Sequence, residues 1–413
     1  MPTPDASAFT RQQKYNAVGE RGTTSNNGTK PVTHLTSYVP KVTGLSNFLP
    51  SFSNKVVSPL KVSFINTTQK PKKFQAIVPV SSSVFIVIGA GGTNTLLYST
   101  DGNTFTGLGN TSFSNYVLAI VYSSTLKVWL AGGGGTNTLA FSPDGKTWTP
   151  LGNILDTTLG RGFAYSPTLN RWVAGFLGTN TLAYATEPTT VGGANGWTAS
   201  SSGTSVFTNQ CISIAWSPTL NLFVGGGILS VGSAVIAFSS DGIAWTPEDG
   251  TGSNGNGNSI FAGSSTQCSA IAAHPTSNLF LAGGGGFGNT HTLAFSTDGK
   301  TWTGLGKTIF SSSVYTFAYS PTLNIWVAGG GGTNALAYAT DPTTVGGANG
   351  WTGLGNSVFT ICFSIVWSPT FKGGAFIAGG SGTNALAYST NGTTWIPISI
   401  SGITQVRAIG TTS

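Results

Sequence analysis

The sequence predicts an all-β protein, a seven-bladed β-propeller of four-stranded antiparallel blades preceded by an extended N-terminal arm. Three observations carry that prediction. A Ser-x-Asp-Gly-x-Thr-Trp stretch recurs seven times, intact or worn, with its acidic or amide residue at positions 101, 144, 187, 241, 298, 341 and 391. Each unit holds four short β-prone runs, and the 43- to 57-residue spacing between stretches is that of propeller blades. Charged residues are only 7% of the chain, against about 25% in ordinary domains, while 59 residues are Gly. So little charge sets the chain apart from charged disordered sequences, and the regular apolar runs point to a large buried β core.

The repeated stretch is fullest at Ser142-Pro143-Asp144-Gly145-Lys146-Thr147-Trp148, and Ser296 to Trp302 nearly copies it. Ser99 to Phe105, Ser239 to Trp245 and Ser389 to Trp395 are looser copies. Ala185-Thr186-Glu187-Pro188 and Ala339-Thr340-Asp341-Pro342 keep only the start, then run through Gly-rich segments to Trp197 and Trp351. Asp-Gly between two β-prone runs is a strong hairpin signal, because Gly accepts positive φ and Ser or Asp can bond the turn's own backbone. Asp101, Asp144, Glu187, Asp241, Asp298, Asp341 and Asn391 therefore read as turn caps rather than metal ligands or catalytic acids. No cofactor or metal is expected. The closing Trp is placed to bury a large apolar face.

Residues 1–73 form a basic N-terminal segment and 74–413 the repeat region. Residues 1–75 carry ten Lys/Arg against Asp5 and Glu20, a net of +8, whereas the remainder is at −1. Residues 1–30 read as an extended or flexible arm, and 31–73 as short β-like pieces such as 56–65. A solvated arm and an arm that docks on an acidic partner both fit this charge. From Phe74 the unit runs in order: an inner strand (Leu118 to Tyr122), a Pro-Thr turn (Ser166 to Asn170), a second strand (Ile325 to Ala328), a glycine run with Thr-Asn, a third strand, the Asp-Gly turn and a fourth strand. Leu-Gly-x-x-x-Phe then crosses to the next unit. The separations 144 to 298 and 187 to 341 are both 154 residues, so blades two to four resemble blades five to seven. Gln405 to Gly410 reads as an extra first strand, expected to pair with a strand from 33–66 or to begin an eighth, composite blade.

The repeated S-x-D-G-x-T-W resembles the Asp-box of the sialidase-like (bacterial neuraminidase repeat) β-propellers, over roughly residues 74–400. The resemblance implies that the box joins the third and fourth strands of a blade, on the face away from the ligand site. The opposite face then presents Thr93/Asn94, Thr136/Asn137, Thr179/Asn180, Thr333/Asn334 and Thr383/Asn384 as a partial ring. These residues are candidates for binding glycans or another protein's backbone; alternatively, Asn merely tolerates a left-handed turn after the glycines. Blade five departs with Phe287-Gly288-Asn289-Thr290-His291, and blade four with Ile228 to Val231. Sialidase chemistry would need an arginine triad, a tyrosine–glutamate pair and an aspartate. The repeat region holds only Arg161, Arg171 and Arg407, the glutamates Glu187 and Glu248, and the non-box aspartates Asp156 and Asp249. Glycoside hydrolysis usually sets two carboxyl groups about 5 to 9.5 Å apart, and no such pair is legible, so no catalytic residue is assigned.

Three cysteines, Cys211, Cys268 and Cys362, begin equivalent inner strands and read as buried free thiols, which suits a reducing site of synthesis. His34, His274 and His291 form no ligand cluster, and His274 reads as a surface residue. No secretion signal or 18-residue apolar span is visible, so synthesis in the cytoplasm and no membrane span are expected. The resulting expectation is a non-enzymatic structural or interaction propeller in a larger assembly, such as a virion or cell-surface layer, with protein partners reached in part through residues 1–73. A lectin-like propeller is the alternative, a hydrolase is disfavoured, and the spread-out basic residues make nucleic acid an unfavoured partner.

Overall fold

The computed structural model describes residues 85–191, 196–228, 234–248, 260–261, 264–345 and 350–412. The basic segment 1–73 and the expectations attached to it lie outside the described residues, as does Asp249. Among the described residues the 28 strands pair as seven successive antiparallel sets of four. Blade two is the plainest: Tyr116–Ser123, Val128–Gly134, Leu139–Ser142 and Thr149–Gly152 follow one another in sequence and in the sheet. The inner strands of blades three to seven are Thr157–Ser166, Cys211–Ser217, Ser264–Ala273, Ser313–Ser320 and Ile361–Ser368.

Blade one is composite. Its inner strand is Ala408–Thr411, from the other end of the region, paired antiparallel with Ile86–Gly89 so that Ile409 faces Ile88. The expected pairing of this strand with one from 33–66 lies outside the described residues; among the described residues it completes blade one. A strand at that place needs an edge with free N–H and C=O groups, and Ile86–Gly89 supplies one. Each inner strand then packs beside the next, and that of blade seven packs beside Ala408–Thr411, which closes the circle.

The core lies between blades. Seven apolar clusters each join one blade to the next, for example Leu130, Leu139, Trp172 and Phe176 between blades two and three. The cluster that includes Ile86, Ile88, Ile377, Leu386 and Ile409 joins blade seven to blade one. Second strands are buried on both faces, and Val128–Gly134 has no exposed residue. This is why their sequence is a continuous apolar run rather than an alternation.

The glycine run at the end of each second strand has a steric cause. A Cβ on Gly89, Gly283 or Gly379 would lie 2.5 to 2.7 Å from a γ-carbon of Val117, Val314 or Val406 in the neighbouring blade. A Cβ on Gly226 or Gly329 would lie 2.7 or 2.6 Å from the Sγ of Cys268 or Cys362. At Gly175 the neighbour is Cys211, and at Gly132 it is the backbone of Gly160. One blade's glycine thus receives a valine or cysteine side chain from the next in six gaps, and between blades two and three the two backbones themselves approach. The three cysteines are buried and free, as expected from sequence, and they occupy the place that valine fills elsewhere. Burial pushes all three thiols far above their ordinary pKa, which keeps them protonated and unreactive.

Candidate functional site

The two faces of the ring are built from different loops. Pro-Thr turns and box turns share one face, and the Gly-Thr-Asn loops share the other with the crossovers. The box turns are uniform. Ser142 Oγ accepts the N–H of Gly145 at 2.7 Å and donates to Asp144 Oδ1 at 3.0 Å. Asp144 Oδ1 also accepts the N–H groups of Lys146 and Thr147, at 2.8 and 2.7 Å. The same set recurs around Asp101, Asp241 and Asp298, and around Asn391. Burial raises the Asp144 and Asp298 carboxyls, but the N–H and hydroxyl donors more than offset it, leaving Asp144 below its ordinary pKa and Asp298 at about 2. Acids held ionised by their own turns are poorly suited to proton transfer near neutral pH.

The box glycine serves two ends. Its φ lies between 68° and 78° in the five Ser-started boxes, the left-handed region that favours glycine. Its α-carbon also faces the preceding blade: a Cβ on Gly145 would lie 2.2 Å from Phe85, and one on Gly102 would lie 2.1 Å from Phe371 of blade seven. The two boxes that start with Ala lack the serine hydroxyl and are held differently. Asp341 accepts from the Thr343 N–H and from the hydroxyls of Thr343 and Thr344. In blade three the Glu187 backbone carbonyl takes the N–H and hydroxyl of Thr190.

On the other face, the asparagine half of the candidate ring is engaged in structure. Asn137, Asn180, Asn334 and Asn384 each donate Nδ2–H to a carbonyl of the preceding crossover, at 2.6 to 2.8 Å (Ser112, Leu155, Ile309 and Val358). Asn94 and Asn334 also accept the N–H of Gly109 and Gly355 through Oδ1. These side chains staple the loop to the crossover. The idea that Asn sits there because it tolerates a left-handed turn is corrected: Gly92, Gly135, Gly332 and Gly382 take the positive φ, between 94° and 108°. Left-handed asparagines occur elsewhere, at Asn170, Asn221 and Asn324, which close the Pro-Thr turns. The threonine half is exposed at Thr93, Thr136, Thr179, Thr333 and Thr383, with the Thr136 hydroxyl also accepting from Asn137 Nδ2.

Both described histidines take over positions filled elsewhere by smaller acceptors. His291 Nδ1 accepts the N–H of Gly306 at 2.8 Å, the role of Asn334 in blade six. His274 Nδ1 accepts the N–H of Ser277 at 3.1 Å, where Ser320 Oγ accepts Leu323 in the equivalent turn. His274 is thus more than a surface residue; its ring also packs 4.4 Å from that of Tyr319. Burial pulls both imidazoles below their ordinary pKa. Of the three arginines in the repeat region, Arg171 is engaged: it donates to the Asp241 backbone carbonyl and covers the Tyr184 ring. Among the described residues no group of three or more His, Cys, Asp or Glu is placed to hold a metal ion, and no helix is long and apolar enough to cross a membrane.

Two outcomes follow from these turns. Asparagine serves at 391 with the same serine and backbone bonds, lacking only the threonine hydroxyl bond that Asp144 accepts from Thr147, so Asp144→Asn should cost little, whereas Asp144→Ala should cost about 1 kcal/mol by loss of its turn bonds; urea unfolding of both variants at neutral pH measures the difference. Burial depresses the folded pKa of His291, and its Nδ1 accepts only while unprotonated, so the unfolded chain takes up a proton first. Its contribution is whole above pH ~6.5, the unfolded value, and is lost as pH falls below it. His291→Asn, which keeps an acceptor, should narrow the difference in unfolding midpoint between neutral and mildly acidic pH; an unchanged difference would contradict the assignment.

No protein-family description matches this chain, and no curated protein matches it. Among solved structures, a chain in the crystal structure of a nidogen/laminin complex is similar over 79% of this chain and 98% of its own length, at 9% identity and a TM-score of 0.47. A likeness at that level carries no argument about ligand or partner.

Proposed function

We propose that this chain is a non-enzymatic, Asp-box propeller of the sialidase-like kind that binds protein partners within a larger assembly, such as a virion or surface layer. The box hydrogen-bond set supports the family reading, because one Ser–Asp–Gly geometry recurs in five blades and is spent on the turn itself. The observation that carries the partner reading is a repeated apolar display. Val191 and Val345 stand at the same place in the long boxes of blades three and six, 154 residues apart, and each is 65% exposed. A single exposed valine is ordinary, but the same one presented twice at the rim favours a surface that is covered in use.

A second reading, glycan binding, is favoured by the five exposed threonines on the opposite face. The asparagines beside them are already committed to the crossovers, so that face offers hydroxyls rather than amides to a sugar.

The paired substitution Val191→Asp with Val345→Asp separates these readings. Charges at the rim should release the protein from the assembly with which it co-sediments in material from its source, while leaving the unfolding midpoint within about 0.5 kcal/mol of wild type. Retention in the assembly, with glycan-array binding lost in Thr136→Val/Thr333→Val, would favour the second reading instead.

A further inference from the structure

The inner strand of almost every blade carries an extra residue at the same height. Pairing with the second strand skips Leu118, Arg161, Ile212, Ser269, Tyr315 and Phe363 in blades two to seven. In blade one, Arg407 stands just before the inner strand and donates its N–H to Gly89. A bulge leaves its residue out of the ladder and re-aims the side chain. Here the re-aimed side chains meet. The Arg407 guanidinium lies 5.6 Å from the Tyr116 ring and 5.5 Å from the Phe363 ring, and the Tyr315 and Phe363 rings are 5.7 Å apart. Arg161 feels both Tyr116 and Arg407. Side chains from blades one, two, three, six and seven share such contacts around the axis of the ring, at the end where the crossovers enter.

The charges at this end are unbalanced. Arg407 Nε donates to Gln405 Oε1 at 3.0 Å, and Arg161 Nε is buried with no hydrogen-bond partner. Burial, together with the like charge of Arg407, pulls the Arg161 pKa down, and no carboxylate acts on it among the described residues. Two half-buried cations of like sign are costly unless something neutralises them.

We propose that the crossover-side end of the ring of inner strands binds a small inorganic dianion, phosphate or sulfate, between Arg161 and Arg407. The charge matches, because two guanidinium groups balance a dianion. Guanidinium forks give directed N–H donors to tetrahedral oxyanions. The Tyr116 and Phe363 rings hold Arg407 in place, and its side-chain hydrogen bond to Gln405 leaves from Nε, so its terminal nitrogens are open. This site is independent of the rim valines and of the partner they meet.

Thermal unfolding of the full chain at constant ionic strength, with phosphate or sulfate replacing chloride, tests it. The wild-type midpoint should climb with the logarithm of phosphate concentration. Arg161→Gln and Arg407→Gln should each cut that climb by at least half, and the double variant should abolish it, while Lys300→Gln on the box face leaves it intact. In chloride alone the double variant should be at least as stable as wild type, since it removes two unneutralised charges. No climb in wild type, an equal climb in the double variant, or a double variant less stable than wild type in chloride would each overturn the proposal.

Discussion

The structure depends on how closely neighbouring blades approach. Each second strand ends in glycines, and a wedge from the next blade fills the space where a side chain would be. A Cβ on Gly283 would stand 2.6 Å from Val314, and one on Gly379 would stand 2.5 Å from Val406. Interiors are packed too densely to absorb such an intrusion cheaply. The glycine-rich composition therefore follows from ring closure. It also accounts for the low charge: with both faces of each second strand covered and a core in every gap, there are few places where an ion would be solvated.

Closure itself is a matter of strand supply. The last inner strand, Ala408–Thr411, sits beside Ile86–Gly89, and its Ile409 joins the cluster between blades seven and one. The same gap is sealed on the box face, where Gly102 of blade one lies under Phe371 of blade seven. Box turns thus act twice: they reverse the chain, and they seat one blade on its neighbour. That double duty explains why the box survives in worn copies. Asn391 replaces aspartate and keeps the serine and backbone bonds of the turn, and His291 and His274 replace asparagine and serine in other turns, because each position requires an acceptor of the right reach rather than a particular charge.

Much of this was legible in the sequence because period and turn chemistry are local. The box at 142–148, the Pro-Thr turns and the crossover phenylalanines each announce themselves within a few residues. The cysteines were legible as buried free thiols, but their equivalence to Val117, Val314 and Val406 is not, since it depends on which side chain faces a glycine of the next blade. Three other features were not readable. The partner of the last strand is about 320 residues away and carries no local mark. The clamp role of Asn137 and Asn334 depends on a crossover carbonyl that only the folded ring brings near. The approach of Arg161 to Arg407 depends on a bulge in blade three and on the residue that leads into the inner strand of blade one, and neither position is marked in the sequence.

Alanine substitution at three consecutive glycines of blade six, read by urea unfolding, measures the claim most directly. A Cβ on Gly329 would lie 2.6 Å from the Cys362 Sγ, and one on Gly330 would lie 2.3 Å from the Ser313 carbonyl oxygen, whereas one on Gly331 would meet nothing closer than 3.6 Å. If blade contact is the governing constraint, Gly329→Ala loses about 1–3 kcal/mol or more and Gly331→Ala stays within about 1 kcal/mol of wild type, while Gly330→Ala, whose Cβ would meet the inner strand of its own blade, reports the packing within one sheet. Equal effects at Gly329 and Gly331 would contradict it.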